Sequence, residues 1–218
     1  MIIIMLGAPG AGKGTIGKKL SEKLDIAYLS SGDIFRALIN EQTEIGKQIE
    51  KWINNGELIP DDIAMKIFED KLIKYDLERG IILDGYPRTE NQAQHLDKLL
   101  KGINQKVDAA INIDTSKELI IDRIINRRIC SNCGEIYNLK YGKKPRIEDK
   151  CDKCNGDIIQ RGDDNEKTVK DRLMAYEKST RSLLNYYKNK GTLVNVHSDE
   201  NTTIKELVSN ALVYIEDL

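Results

Sequence analysis

Three observations predict an α/β fold built on a doubly wound, five-stranded parallel sheet. Short apolar runs alternate with longer amphipathic segments along most of the 218 residues. The first run, Met1-Ile2-Ile3-Ile4-Met5-Leu6, is apolar throughout and β-branched in its middle, which suits a strand buried on both faces of a parallel sheet. It leads directly into a glycine-rich stretch and then a helical pattern, so strand, loop and helix follow one another as a βαβ unit requires.

Taken in order, strands are expected at 1–6, 27–29, Gly80–Asp84, Val107–Ile113 and Thr192–Val196. Helical periodicity is expected over 13–24, 32–40, 44–54, 61–74, 89–101, 116–127, 164–188 and 202–216. Two stretches interrupt the alternation. Residues 30–60 hold two helical patterns between the second strand and the next α/β unit, and residues 128–162 are rich in Gly, Cys, Lys and Asp. Both read as insertions on the ligand-binding edge of the sheet. The expected organisation is a core from 1–29, 60–127 and 161–218, with inserted modules at 30–59 and 128–160.

Composition narrows the function classes. Apolar residues make up 40%, charged residues 32%, and the formal net charge is -1, with no basic excess to suit nucleic acid or an anionic membrane. No run of about 18 apolar residues is present, and the N-terminal apolar stretch lacks a basic leader and a cleavage site. A cytoplasmic location is the resulting expectation.

The glycine-rich stretch reads Gly7-Ala8-Pro9-Gly10-Ala11-Gly12-Lys13-Gly14-Thr15, the pattern of a phosphate-binding loop (P-loop). Its glycines allow close approach to an anion, and the following helix offers N-terminal N–H groups and a favourable dipole. The common form ends Gly-Lys-Ser/Thr, with the hydroxyl on magnesium. Here Gly14 fills the hydroxyl slot and Thr15 follows it. One residue along a helix is a rotation of roughly 100°, so Thr15 is expected to contact phosphate first, and direct metal ligation by it is not assumed.

All four cysteines lie in the second insertion as Cys130-Ser131-Asn132-Cys133 and Cys151-Asp152-Lys153-Cys154, two C-x2-C pairs 17 residues apart. That spacing signals zinc. Four thiolates close a tetrahedral shell and leave no place for substrate, so the metal is expected to be structural, one ion per chain. Four reduced thiols, or iron in the same ligands, remain alternatives; disulfides fit a cytoplasmic chain poorly.

Arginine is scarce, with ten against 24 lysines, so each position is informative. Guanidinium presents a planar fork to phosphate that ammonium lacks. Arg36, Arg88, Arg123, Arg127, Arg161 and Arg172 flank expected strand ends or the insertions. Arg79, Arg128, Arg146 and Arg181 are expected to form surface ion pairs, and His95 and His197 to have no catalytic role.

The P-loop, Ser30-Ser31-Gly32-Asp33 with Arg36, Leu83-Asp84-Gly85-Tyr86-Pro87-Arg88-Thr89 with Gln92, and Arg161-Gly162-Asp163-Asp164 with Arg172 together resemble the adenylate kinases. The likeness runs from the first strand to the last helix, and the four-cysteine insertion resembles the zinc-bearing lid of the long bacterial type. The sequence departs from the commonest pattern at Ser31, usually threonine, and Tyr86, usually phenylalanine.

The resemblance implies a P-loop NTPase-like fold and the reaction of Mg-ATP with AMP to give two ADP. It places Lys13 and the loop amides of Gly10, Ala11, Gly12, Gly14 and Thr15 on the ATP phosphates. Arg123 and Arg127, expected one helical turn apart on one face, would reach adenine and the transferring phosphoryl group respectively. Arg161 and Arg172 would close over both phosphate groups. Arg36 and Arg88 would clamp the AMP phosphate, and Asp84 would orient magnesium through water. Ser31, Glu57, Leu58, Ile59, Gly85, Tyr86, Pro87 and Gln92 would hold AMP, while Ile136, Tyr137 and Glu200 would touch the ATP adenine. Thr89-Glu90-Asn91-Gln92 also reads as a capping box. Asp163 and Asp164 would orient the lid arginines or cap a helix.

A monomer acting on ATP, AMP and ADP, without nucleic-acid or membrane partners, follows from the same likeness. The rivals are a kinase for UMP/CMP or GMP, and a nucleotide-switched zinc-ribbon protein that binds RNA. The low aromatic content of 6% counts against the latter.

Overall fold

The computed structural model describes residues 1–215. In chain order its elements are β1 (Ile2–Leu6), α1 (Lys13–Leu24), β2 (Ala27–Ser30), α2 (Ser31–Asn40), α3 (Glu44–Asn54), α4 (Asp61–Leu72), β3 (Ile81–Asp84), α5 (Glu90–Gly102), β4 (Ala109–Thr115) and α6 (Lys117–Ile125). There follow β5 (Arg127–Cys130), β6 (Ile136–Asn138), β7 (Ile158–Ile159), α7 (Glu166–Ala175), a π-helical turn (Tyr176–Thr180), α8 (Ser182–Asn189), β8 (Leu193–Ser198) and α9 (Ile204–Ile215).

Five strands form a parallel sheet in the order β2-β3-β1-β4-β8, so the predicted fold class holds. Strand side chains alternate between faces, and β1 shows the consequence. Ile2, Ile4 and Leu6 pack on one side with Phe68 of α4, Leu96 of α5 and Tyr187 of α8. Ile3 and Met5 pack on the other with Ile16 and Leu20 of α1 and Val208 and Ala211 of α9. Helices on both faces explain why this strand is uniformly apolar.

Several boundaries differ from expectation. The strands expected at 107–113 and 192–196 begin two residues and one residue later and each end two residues later, at Ala109–Thr115 and Leu193–Ser198. The helix expected over 116–127 stops at Ile125, because Arg127–Ile129 pair antiparallel with Ile136–Asn138. Arg127 is therefore a strand residue, and the expectation that it shares a helical face with Arg123 is corrected.

The helix expected over 164–188 is divided by the π turn. A π turn inserts an extra residue and re-phases the apolar face. Val169 and Leu173 before it meet Ile120 and Ile124 of α6, whereas Leu183 and Tyr187 after it join the main sheet's core. The last helix begins at Ile204, since Thr203 and Glu206 form a reciprocal capping box; the part of that expectation at residue 216 lies outside the described residues.

Strands β5, β6 and β7 form a second, antiparallel sheet in the order β6-β5-β7 within the cysteine-bearing segment. Among the described residues, no helix is long and apolar enough to cross a membrane.

Candidate active site

Strand register brings the functional segments together. Asp84, the last residue of β3, lies opposite Met5 on one side and Ser30 on the other, so the loop after β1, the start of α2 and the β3 terminus share one carboxyl edge. Ligands of doubly wound sheets bind at this edge. A cavity of about 700 Å³ runs from the P-loop past β6 to the Glu200–Ile204 segment. A second, of about 150 Å³, extends between Phe35, Ile59, Tyr86 and Gln92. Both are lined by Lys13, Arg36, Arg88 and Arg172, so ligands in the two cavities would share one cluster of cations.

That cluster is held at electrostatic cost. Lys13 Nζ donates to the carbonyls of Gly7 and Ala8 at 2.7 and 2.9 Å. Burial pushes its pKa down to about 8; Asp84 opposes the shift, and Arg88, Arg172 and Arg127 add to it. Arg88 donates through Nε to the Gly85 carbonyl at 2.8 Å, and burial with nearby Arg172 pushes it down to about 10. Arg161 is pushed down to about 10 by burial and by Arg127 and Arg36. Its Nε is buried without a hydrogen-bond partner, a donor awaiting an acceptor. Polyanionic phosphate would reverse each of these penalties.

The acidic pair after Arg161 orients this cluster. Asp164, itself buried, accepts from Arg127 Nε at 2.8 Å and also from Nη2, while Asp163 accepts from Arg172 at 2.8 Å. The helix-capping alternative for this pair is corrected: Asn165 caps α7, its side chain accepting from Thr168 N at 2.9 Å.

Little free room surrounds the position that holds the hydroxyl in the common P-loop form. A β-carbon at Gly14 would stand 3.3 Å from Asp84 Oδ2 and 3.5 Å from the Tyr28 hydroxyl, so the usual hydroxyl slot faces an occupied carboxylate. Thr15 lines the larger cavity with Asp84. Tyr28, which the sequence reading passed over, donates to Asp84 Oδ2 at 2.6 Å.

On the smaller cavity, Glu57, Leu58, Ile59, Gly85, Tyr86 and Pro87 are lining residues. Tyr86 stacks on Phe68 with ring centroids 3.9 Å apart and planes at 16°. Ser31 is fully buried and donates to the Gly85 carbonyl at 2.7 Å. Thr89 caps α5 by accepting from Gln92 N at 3.2 Å. The reciprocal half of the expected box is absent here, since Gln92 Oε1 accepts from Arg88 N at 2.8 Å, one residue beyond the cap.

At the far end of the larger cavity, Ile136 and Glu200 are lining residues but Tyr137 is not. The Tyr137 ring is buried; its hydroxyl donates to Cys151 Sγ at 3.3 Å and accepts from Asp152 N at 2.8 Å. The Tyr137 side chain is therefore turned into the cysteine-bearing segment, and the residue's backbone is what adjoins Ile136 at this end. Arg123 donates to Ser198 Oγ and the Asp199 carbonyl at 3.1 and 2.9 Å, joining α6 to the loop after β8. Lys140, Tyr141 and Asn201–Ile204 also line this end and were not anticipated. No motif marks them.

The four cysteine sulfurs all lie within 4.8 Å of one another. Cys130 and Cys154 sulfurs are 3.4 Å apart, and those of Cys133 and Cys151 are 3.6 Å apart. Zinc–sulfur bonds of about 2.3 Å in a tetrahedron imply sulfur spacings of about 3.8 Å. The cluster is compatible with zinc.

Away from the cavities, Arg79 pairs with Asp25 at 2.5 Å and Arg181 with Glu177 at 2.6 Å, as expected of surface arginines. Arg128 instead donates to the carbonyls of Ile125 and Arg127, and Arg146 has no ion pair among the described residues. His95 faces Glu69 at 3.3 Å and His197 faces Asp114 at 3.8 Å, both outside the cavity linings.

A sequence model of the family described as adenylate kinase matches residues 5–192. The chain is 47% identical over 210 residues to an adenylate kinase of Clostridium botulinum strain Langeland, covering 96% of each. It is 49% identical over 193 residues to one of Clostridium kluyveri, covering 88% of each. With an adenylate kinase of Acetivibrio thermocellus it shares 45% identity over 214 residues, 97% of this chain and 98% of the relative. Two cavities meeting on a shared cationic cluster, and likeness over nearly the whole length, lead to one conclusion: the chain belongs to the adenylate kinase family, the nucleoside monophosphate kinases that work on ATP, ADP and AMP.

Proposed function

We propose that the protein transfers the terminal phosphoryl group of magnesium-bound ATP to AMP, reversibly and in preference to other monophosphates, giving two ADP. The observation that carries this reading is the shared lining of the two cavities by Lys13, Arg36, Arg88 and Arg172. In it, ATP occupies the larger cavity and AMP the smaller, and their phosphates meet on these cations.

Phosphoryl transfer depends on positioning and charge stabilisation more than on covalent help. Lys13 and the amides of Gly10 to Thr15 hold the ATP phosphates, with Arg123 beside the adenine between α6 and the loop after β8. Arg36 and Arg88 fix the AMP phosphate. Arg127, Arg161 and Arg172 share the charge of the transferring group. A phosphate acceptor has a second pKa near 6 and is already largely dianionic at pH 7, so no general base is required. The remote positions of His95 and His197 agree with that.

Magnesium supplies charge neutralisation between the phosphates. Asp84 would orient its waters, with Thr15 a phosphate contact. Residues 30–59 and 128–160 act as AMP-side and lid modules that exclude water. Cys130, Cys133, Cys151 and Cys154 hold a structural zinc ion that keeps the lid folded. A cytoplasmic monomer is the form proposed.

The test is an ADP-coupled assay with ATP against AMP, CMP, UMP and GMP in parallel. AMP is expected to give the highest kcat/KM. A preference for any other acceptor overturns the assignment.

A further inference from the structure

Asp61, the first residue of α4, lies against the Gln92 amide and was not singled out in the sequence. Gln92 is 2% exposed and lines the smaller cavity. Its Nε2 donates to Asp61 Oδ1 at 2.7 Å, and its Oε1 accepts from Arg88 N at 2.8 Å. Asp61 Oδ2 is itself held, accepting from Thr89 Oγ1 at 2.8 Å and Asn91 Nδ2 at 3.0 Å.

Amide orientation is normally ambiguous and has to be inferred from hydrogen-bond partners. Here both partners are one-way groups. An ionised carboxylate only accepts and a backbone N–H only donates. Turning the amide over would set its oxygen against the Asp61 carboxylate and its NH2 against the Arg88 N–H. Both contacts would be repulsive inside a buried site.

Adenine and guanine differ in the matching sense. Adenine presents an NH2 donor at position 6 and an acceptor at N1; guanine presents an acceptor at position 6 and an N–H at N1. A freely turning glutamine could serve either base. A glutamine held one way can serve only one in a given ring position. Fixed polar groups discriminate more strongly than apolar shape, because the wrong partner leaves buried groups unpaired.

We propose that Asp61 is a positioning residue that fixes the Gln92 amide against turning over and so makes the acceptor site select adenine over guanine. This rests on the reading of Gln92 as the base contact. Asp61 touches no substrate in this role. Its placement in the first turn of α4 also favours the helix dipole, a purely structural contribution that would affect all substrates alike.

The test compares Asp61→Asn and Gln92→Leu with the unaltered protein, using ATP with AMP or GMP. Asparagine keeps the shape but can offer either an oxygen or an NH2, which removes the one-way constraint. For Asp61→Asn, the AMP-to-GMP ratio of kcat/KM is expected to fall at least about tenfold, about 1.4 kcal/mol of lost discrimination. The fall should come through KM for AMP, with KM for ATP unchanged. An unchanged ratio in Asp61→Asn, with a collapsed ratio in Gln92→Leu, overturns the role of Asp61 alone. Unchanged ratios in both overturn the base contact itself. If Asp61→Asn does not fold, side-chain amide NMR of the unaltered protein decides. One Gln92 Nε2 proton is expected downfield and slow to exchange before AMP is added; two freely exchanging protons overturn the proposal.

Discussion

The Tyr28 hydroxyl donates to Asp84 Oδ2 at 2.6 Å, across adjacent strands β2 and β3, beside the point where a Gly14 β-carbon would stand. Burial and the Asp84 charge raise the Tyr28 pKa, so the phenol stays protonated and remains a donor. Tyr28→Phe removes one hydrogen bond to a charged acceptor, expected to cost about 1.5 kcal/mol and to lower Tm by about 3 °C. Asp84 then loses its anchor, and half-maximal turnover should shift to higher magnesium. Denaturant melts and a magnesium titration check both effects; no change in either would assign the contact no role.

Lys13 sets a pH dependence. Its pKa in the ligand-free protein is lowered to about 8, whereas an ordinary lysine stays charged to about 10.4. As pH rises through 8 the free protein loses this charge, while bound phosphate favours keeping it. ATP binding must then take up a proton, so kcat/KM for ATP is expected to fall above pH 8 by up to about tenfold per pH unit. The same linkage has the opposite sign for stability. Below pH 8 the folded chain carries a buried charge at a penalty, which is relieved as pH rises from 8 toward the unfolded value. Lys13→Met should abolish turnover and remove this limb from binding measurements.

Arg88 donates to Gly85 O and bounds the smaller cavity. In its proposed role on the AMP phosphate, Arg88→Ala should lower kcat/KM for AMP by about 100-fold or more, the equivalent of about 3 kcal/mol. Nucleotide-binding titrations should show ATP affinity far less affected. Equal losses for both nucleotides would count against placing AMP on this side.

Gly46 in α3 lies where a β-carbon would come within 2.1 Å of the Leu38 carbonyl oxygen in α2. Backbone cannot yield as a side chain tip can. Gly46→Ala should push the two helices apart and destabilise by about 3 kcal/mol, at the upper end of overpacking costs. Hydrogen exchange should accelerate over 31–54 with little change in the main sheet. Uniform protection throughout would contradict this.

Removing zinc should leave the β5–β7 segment without its cross-link. A segment of about 35 residues is too small to sustain much core of its own, and its buried cluster among the described residues is Cys130, Tyr137, Cys151 and Ile158. Chelation is expected to lower Tm by several degrees while turnover at low temperature is largely kept. Cys151→Ser, which removes one thiolate ligand, should do the same. An unchanged melting point after metal removal would exclude a structural role for the ion.

Much of the scaffold was legible because it depends on short-range patterns. The apolar run of β1 announces burial on both faces, the glycines and Lys13 announce a loop suited to an anion, and the cysteine spacing announces a cluster of four sulfurs. Asp84 was legible because it ends an apolar strand at a sheet edge where ligands bind. The division of 164–188 was hidden, since the π turn serves two different packing partners and leaves the local helical period nearly intact. Arg127 was misplaced because the preceding helical pattern continues smoothly into a strand whose partners come later in the chain.

The strand–loop–helix cradle, the alternating sheet and the paired cysteines follow from chemistry within a few residues of the chain. Which groups face one another follows from how the elements pack. Tyr28 finds Asp84 across 56 residues and Gln92 finds Asp61 across 31. Such pairs arise from strand register and helix packing, which spacing along the chain does not encode, and they govern how the site's polar groups are held.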